Sequence, residues 1–118
     1  MVPIRRAVPY RTVRPLDEHV RFHVDALGFE VVESLAIDGV PFWVALRNGE
    51  ARLMLSDRPV HDRERLTWLY VDDVAAAFSE FVAAGFRPLS EPADQSHGTR
   101  EFLCADPTGE VYVVAEPR

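Results

Sequence analysis

The sequence predicts an α+β fold made of two βαβββ modules within a single domain, residues 1–118, and three observations carry that prediction. The two halves repeat each other: Ala26-Leu27-Gly28-Phe29-Glu30-Val31 returns as Ala83-Ala84-Gly85-Phe86-Arg87-Pro88. In each half a β-rich segment ending in valine, Val13 or Val71, leads into an amphipathic segment that closes on the repeated glycine. Turn signals then separate short β-rich segments, so that strand, helix and three strands occur twice.

Module one is expected over about 7–56 and module two over about 66–116, with the polar segment 57–65 as linker. The first strand is placed near 7–13. It runs into a helix whose apolar stripe is Leu16, Val20, Ala26 and Leu27, with Pro15 fitting the first turn and Gly28 the stop. His19 and His23 project onto the same apolar face. Strands near 29–36, 42–48 and 51–56 follow, joined at the hairpin signals Asp38-Gly39 and Asn48-Gly49. A strand at 66–71 opens the second module. In its helix Val74, Ala77, Phe78, Phe81 and Val82 fall at i, i+3, i+4, i+7 and i+8, the stripe of a helix lying on a sheet. Asp72 or Asp73 can cap that helix, and Gly85 suits the left-handed position past its end. Strands near 86–90, 100–105 and 111–116 complete the chain, the last two joined by Asp106-Pro107-Thr108-Gly109, which carries proline and glycine where a β-turn needs them.

Composition narrows the function. Nineteen acidic against thirteen basic side chains give a net charge of −6, which repels a phosphate backbone and favours a cationic ligand over nucleic acid. All thirteen basic residues are arginine. No stretch approaches the ~20 apolar residues needed to cross a bilayer, and no apolar run follows Arg5-Arg6, so a soluble, cytoplasmic protein without a membrane partner is expected. Cys104 is the single cysteine and cannot form an internal disulfide, which agrees with a reducing compartment; a small apolar filler is its simplest role.

The run Val13-Arg-Pro-Leu-Asp-Glu-His-Val-Arg-Phe-His-Val-Asp-Ala-Leu-Gly-Phe29 resembles the first module of the glyoxalase/bleomycin-resistance/extradiol-dioxygenase (vicinal oxygen chelate) superfamily. The tail Gly98-Thr-Arg-Glu-Phe-Leu-Cys-Ala-Asp-Pro-Thr-Gly-Glu-Val-Tyr-Val-Val-Ala-Glu116 resembles its closing hairpin, nearest to the bleomycin-resistance branch. With Ala7-Val8-Pro9 and Trp68-Leu-Tyr-Val71 the likeness covers nearly the whole chain. The resemblance implies a curved mixed sheet around a concave cavity, in a homodimer. It also implies that Pro9 stands where an N-terminal strand can be exchanged between subunits, although an unexchanged edge-strand proline explains it equally well.

Metal-dependent members present His or Glu from the first strand of each module and from the last strand. Those positions carry over to Val8, Leu66 and Val113, with Met54 near a further acidic one. Methyl groups cannot coordinate a divalent ion, so neither a metal nor any other cofactor is expected. His19 and His23 have metal-pair spacing but no HExxH frame, and His61 reads as solvated surface. No glycine-rich phosphate loop, Gly-x-Ser-x-Gly elbow or Cys-His pair offers a catalytic set, and Asp72-Asp73 reads as capping.

Strand alternation sends Leu66, Trp68 and Tyr70 to one face and turns Val8, Tyr10 and Thr12 inward, with Val111 and Val113 from the last strand. Phe42, Met54 and Ser56 match positions that line the drug cleft in the bleomycin-resistance branch. His97 replaces an aromatic residue there, as a cavity-wall residue or an ordinary loop residue, and Ile37-Asp-Gly-Val-Pro41 reshapes a cleft edge. The ligand-binding set expected is thus Trp68, Tyr70, Phe42, Tyr10, Met54, Ser56, His97 and Arg100. Arg100-Glu101 fits a role in orienting strand and loop better than one in chemistry. Glu30, Glu33 and Asp38 are candidate attractors for a cation, or plain solvated charge. Aromatic rings of this set would stack on a flat heteroaromatic ligand, at ~0.5–1.5 kcal/mol per good pair beyond area burial.

These readings converge on a non-catalytic protein that binds and sequesters a small antibiotic-like compound, such as one of the bleomycin class. Two rivals stand beside it. One is a glyoxalase-like lyase, isomerase or dioxygenase using a shifted metal site or no metal; the other is an interaction module whose cavity is closed by side chains.

Overall fold

A computed structural model describes residues 2–117. Contacts group the chain into two compact units, Val8–Arg65 in one and Leu66–Arg118 with Met1–Ala7 in the other.

The first unit contains β1 (Ile4–Thr12) from Val8 onward, α1 (Leu16–Leu27), β2 (Glu30–Ile37), β3 (Val40–Asn48) and β4 (Ala51–Ser56). Its strands lie in the order β2-β3-β4-β1, with β4 and β1 parallel and the other pairs antiparallel. The β2–β3 turn is a two-residue loop in which Asp38 (φ 52°) and Gly39 (φ 79°) both take positive φ, as the twist of a tight hairpin requires. Core packing on the α1 side joins Leu16 to Val44, Leu46, Leu53 and Leu55. The segment expected to be a plain linker is folded onto this unit: Glu64 accepts from the Thr12 amide (2.7 Å), Asp57 donates to Phe42 O (3.0 Å), and Val60 and Arg63 close a turn.

The helix α1 departs from expectation. Leu16 alone among its residues is buried, while Leu27 is 49 % and Phe22 60 % exposed. Pro15 sits just outside the helix, and its side chain offers no cap. His19 and His23 are half-buried and spend Nδ1 on backbone carbonyls one turn earlier, those of Pro15 (2.8 Å) and His19 (2.6 Å). A carbonyl only accepts, so both Nδ1 atoms carry the proton. The His23 ring stands edge-on to Phe22 and Phe29.

The second unit contains β5 (Arg65–Val71), α2 (Val74–Ala83), β6 (Arg87–Pro88), β7 (Ala93–Asp94), β8 (Thr99–Ala105) and β9 (Val111–Pro117). The order is β5-β9-β8-β6, with β7 also on β8; β5 and β9 are parallel. The strand expected near 86–90 is only two residues long, β6, where Pro88 lacks the amide a ladder needs, and β7 is a further short piece beyond the expected range. Leu89 and Ser90 both turn their amides to Leu103 O instead. Asp73 is the cap of α2, accepting from Ala76 N at 3.0 Å, and Asp72 pairs with Arg5 at 2.7 Å. Val74, Ala77 and Phe81 are buried against Leu69, Val71, Phe102, Cys104 and Val114, with Phe78 packed edge-on to Phe102, whereas Val82 is 42 % exposed. No helix among the described residues is long and apolar enough to cross a membrane.

Candidate functional site

Directly paired residues of neighbouring strands share a face, so register locates the expected site residues. In the first unit Tyr10 pairs with Met54 and Thr12 with Ser56. Both rows lie away from α1, whose side is taken by Leu53 and Leu55. Across β4, Ala45 pairs with Met54 and Trp43 with Ser56, so Trp43 belongs to this face although sequence reading passed it over. Phe42 does not. It is the extra residue of a bulge, since Leu35 pairs with Trp43 and Ala36 with Pro41, and its ring lies under the Arg58 guanidinium at 4.5 Å.

A hydrogen-bonded cluster fixes this face. Ser56 Oγ donates to Phe42 O (2.8 Å) and accepts from Arg58 N (3.2 Å), and the Tyr10 hydroxyl donates to Arg58 O at 2.9 Å. Burial pushes the Tyr10 phenol above its ordinary 10.0, opposed by its bond to Ser56. Tyr10, Met54 and Ser56 are all buried in the chain. Thr12 Oγ1, in the same row as Ser56, is shielded from solvent and finds no hydrogen-bond partner among the described residues. A shielded hydroxyl without a partner is uncommon in a folded chain.

In the second unit Trp68 pairs with Val113, and Tyr70 with Ala115, on the face away from α2. Across β9, Leu103 pairs with Val113 and Glu101 with Ala115. Trp68 is buried and Tyr70 half-buried. Arg100 lies on the other face: it pairs with Glu116, whose carboxylate accepts from Val74 N at the start of α2 (3.0 Å), and its guanidinium reaches Asp94 at 3.4 Å. The residue of that dipeptide which shares the side of Trp68 and Tyr70 is Glu101. His97 is exposed, in the loop before β8, and its Nε2 meets Thr99 Oγ1 at 3.0 Å.

A groove of about 1170 Å³ opens in the first unit between α1 and the β2–β3 hairpin. Leu16, Val20, Val24, Val31 and Val44 give it an apolar floor, with Arg14, Arg21 and Asp25 among its charged rim. None of the eight expected ligand-binding residues lines it.

Comparison with known proteins assigns the family. The model of the Glyoxalase/Bleomycin resistance protein/Dioxygenase superfamily matches residues 7–113. The chain belongs to that superfamily. No curated protein matches it. Among solved structures, a glyoxalase/bleomycin resistance protein/dioxygenase superfamily member from Vibrio splendidus 12B01 is 19 % identical, with 96 % of this chain and 98 % of that one covered and a TM-score of 0.70. Methylmalonyl-CoA epimerase from Mycobacterium tuberculosis is 20 % identical over 95 % of this chain and 85 % of that one, TM-score 0.67. The Streptomyces coelicolor epimerase, in complex with 2-nitronate-propionyl-CoA, is 21 % identical over 99 % and 98 %, TM-score 0.70. These likenesses show the α+β fold of the glyoxalase superfamily.

At the positions that correspond to the superfamily's metal ligands this chain carries hydrocarbon side chains. Val8, Leu66 and Val113 are 4 %, 5 % and 0 % exposed, and none has a lone pair to offer. These residues do not fit a divalent ion. Among the described residues no group of three or more His, Cys, Asp or Glu side chains is placed to hold one.

Proposed function

We propose that this glyoxalase-superfamily chain binds a small aromatic compound and holds it unchanged, as an antibiotic-sequestering protein of the bleomycin-resistance type. The observation that carries the reading is the buried hydrocarbon at Val8, Leu66 and Val113, which leaves no donor for the Lewis-acid chemistry of metal-dependent relatives. Supporting it are the row-by-row placement of Trp68 and Tyr70 on one face and the unpartnered Thr12 hydroxyl beside Ser56. A net charge of −6 favours cationic compounds over nucleic acid. A cytoplasmic location belongs to the same reading and is supported by Cys104 as a buried thiol.

A homodimer is part of this proposal. Every residue of β2 is exposed, including Val31, Val32, Leu35 and Ile37, which supplies apolar area for a second copy. Light scattering on the purified chain tests it, and a monomer at micromolar concentration removes the dimer from the proposal.

Titration with bleomycin-class compounds, followed by tryptophan fluorescence in the wild type and in Trp68→Phe, tests the binding claim. Saturable quenching that weakens in the variant is expected. If nothing in that class changes the emission or raises the melting temperature, the sequestration reading fails, since a ligand selective for the folded state must stabilise it.

A further inference from the structure

Glu101 is a buried carboxylate that neither the expected ligand-binding set nor the metal positions used. Its side chain is 8 % exposed, on the face of the second unit that carries Trp68 and Tyr70. Burying a carboxylate costs free energy unless donors or a cation compensate it. One hydroxyl, that of Thr99, donates to Glu101 Oε2 at 2.8 Å. Because that hydroxyl has a single hydrogen, already given to Glu101, His97 Nε2 at 3.0 Å from Thr99 Oγ1 is the donor in its own bond. The polar chain therefore runs from exposed His97 through Thr99 to the buried acid, with the ring nitrogen also 3.5 Å from Glu101 Oε2. No lysine exists in the sequence, and the adjacent Arg100 is on the opposite face, at Asp94. An ionised carboxylate accepts about four hydrogen bonds, and among the described residues the Thr99 hydroxyl is the one donor hydrogen-bonded to this one.

Its ladder neighbours are small. Across the ladder Glu101 is flanked by Ala93 on β7 and Ala115 on β9, and Tyr70 stands in the same row beyond Ala115. At about 4.8 Å per strand, Tyr70 lies roughly 10 Å from Glu101, with Trp68 in the next row on that face. This is the span between the ring and the charged group of a modest organic cation.

We propose that Glu101 is the anchor for the positive charge of the ligand, so that the class recognised is an aromatic organic cation, its ring on the Tyr70–Trp68 side and its charge at the carboxylate. Thr99 and His97 are positioning residues that hold the carboxylate in place. The inference rests on the small-molecule-binding reading above.

The test compares 3-(2-naphthyl)propyl-trimethylammonium, a permanent cation whose charge is held away from its ring by a propyl chain, with the neutral analogue carrying tert-butyl in place of trimethylammonium, using the whole chain and probe fluorescence. The wild type should bind the cation about 10-fold more tightly. Glu101→Gln should remove that preference and leave the affinity of the neutral analogue within about twofold, Glu101→Asp should keep part of it, and Thr99→Val should narrow it. The wild-type comparison needs no substitution and so stands even if a variant fails to fold. Equal binding of the two probes by the wild type, or a preference unchanged in folded Glu101→Gln, overturns the anchor while leaving ligand binding intact. Failure of both probes to bind overturns the anchor and counts against the binding reading as well.

Discussion

The two helices occupy the same place in a repeated element order, yet they cover their sheets differently. Helix α2 seals its side: Val74, Ala77 and Phe81 are 1 %, 0 % and 6 % exposed, and Phe78, Phe81 and Phe86 pack their rings around Phe102 and Tyr112. Helix α1 seals only its first turn through Leu16, and beyond it the groove toward β2 stays open. The difference lies in the side chains. The α2 stripe is made of small and aromatic residues that reach the sheet, whereas α1 puts His19 and His23 along its length, each folded back on its own helix by a carbonyl. A repeat of secondary structure is thus not a repeat of packing, and α1 leaves Val20 and Val24 lining an open groove.

The largest test of that contrast is Phe102→Ala. Removing a ring that is 0 % exposed and held edge-on by two others should cost about 3–5 kcal/mol in urea unfolding. A loss below about 1 kcal/mol would mean the α2 side is not sealed.

Next in size is a pH effect at Cys104. Burial, with a smaller push from Asp106, raises this thiol from its ordinary 9.0 to about 11. The folded state therefore holds the proton more tightly than the unfolded chain. Its contribution is complete below pH 9 and disappears as pH climbs to about 11, and by linkage amounts to about 2–3 kcal/mol. Unfolding curves at pH 8 and 11 should converge by that amount when wild type is compared with Cys104→Ala. Parallel curves would show the thiol to be open to water.

Helix capping gives a smaller difference. Asp73→Ala should cost about 1 kcal/mol, because it strips the acceptor from Ala76 N, while α1 has no side-chain cap to lose. The smallest effect is expected on the exposed side of α1: Phe22→Ser, at a ring 60 % exposed, should change chain stability by no more than about 0.5 kcal/mol. A loss of 2 kcal/mol there, with no change in self-association, would show that α1 is sealed after all.

The site was partly legible. Alternation along β5 placed Trp68 and Tyr70 on one face, and alternation along β1 joined Tyr10 to Thr12, because period two is a property of one strand. Crossing between strands needs register. The turn at Asp106-Pro107-Thr108-Gly109 held enough information: counting outward pairs Ala105 with Val111, Leu103 with Val113 and Glu101 with Ala115, which selects Glu101 over Arg100. Phe42 and Trp43 could not be separated in this way. The bulge that leaves Phe42 unpaired lies in the register between β2 and β3, a pairing of two strands that no local motif announces. The burial of Tyr10, Met54, Ser56 and Trp68 was equally out of reach, since an inward face does not state how much of it stays wet.

By itself the sequence determined the order of elements, the turns at Asp38-Gly39 and Asp106–Gly109, the cap and stripe of α2, and the absence of donor atoms at Val8, Leu66 and Val113. Those follow from local backbone preference, periodicity and residue chemistry, which act over a few residues. Tertiary structure decided that α1 leaves a groove, that a short strand at Ala93–Asp94 pairs with β8, and that a carboxylate is buried in the row of Tyr70. Such features depend on which side chains meet across strands distant in sequence, and volume and hydrogen-bond partners at those meetings belong to the folded chain alone.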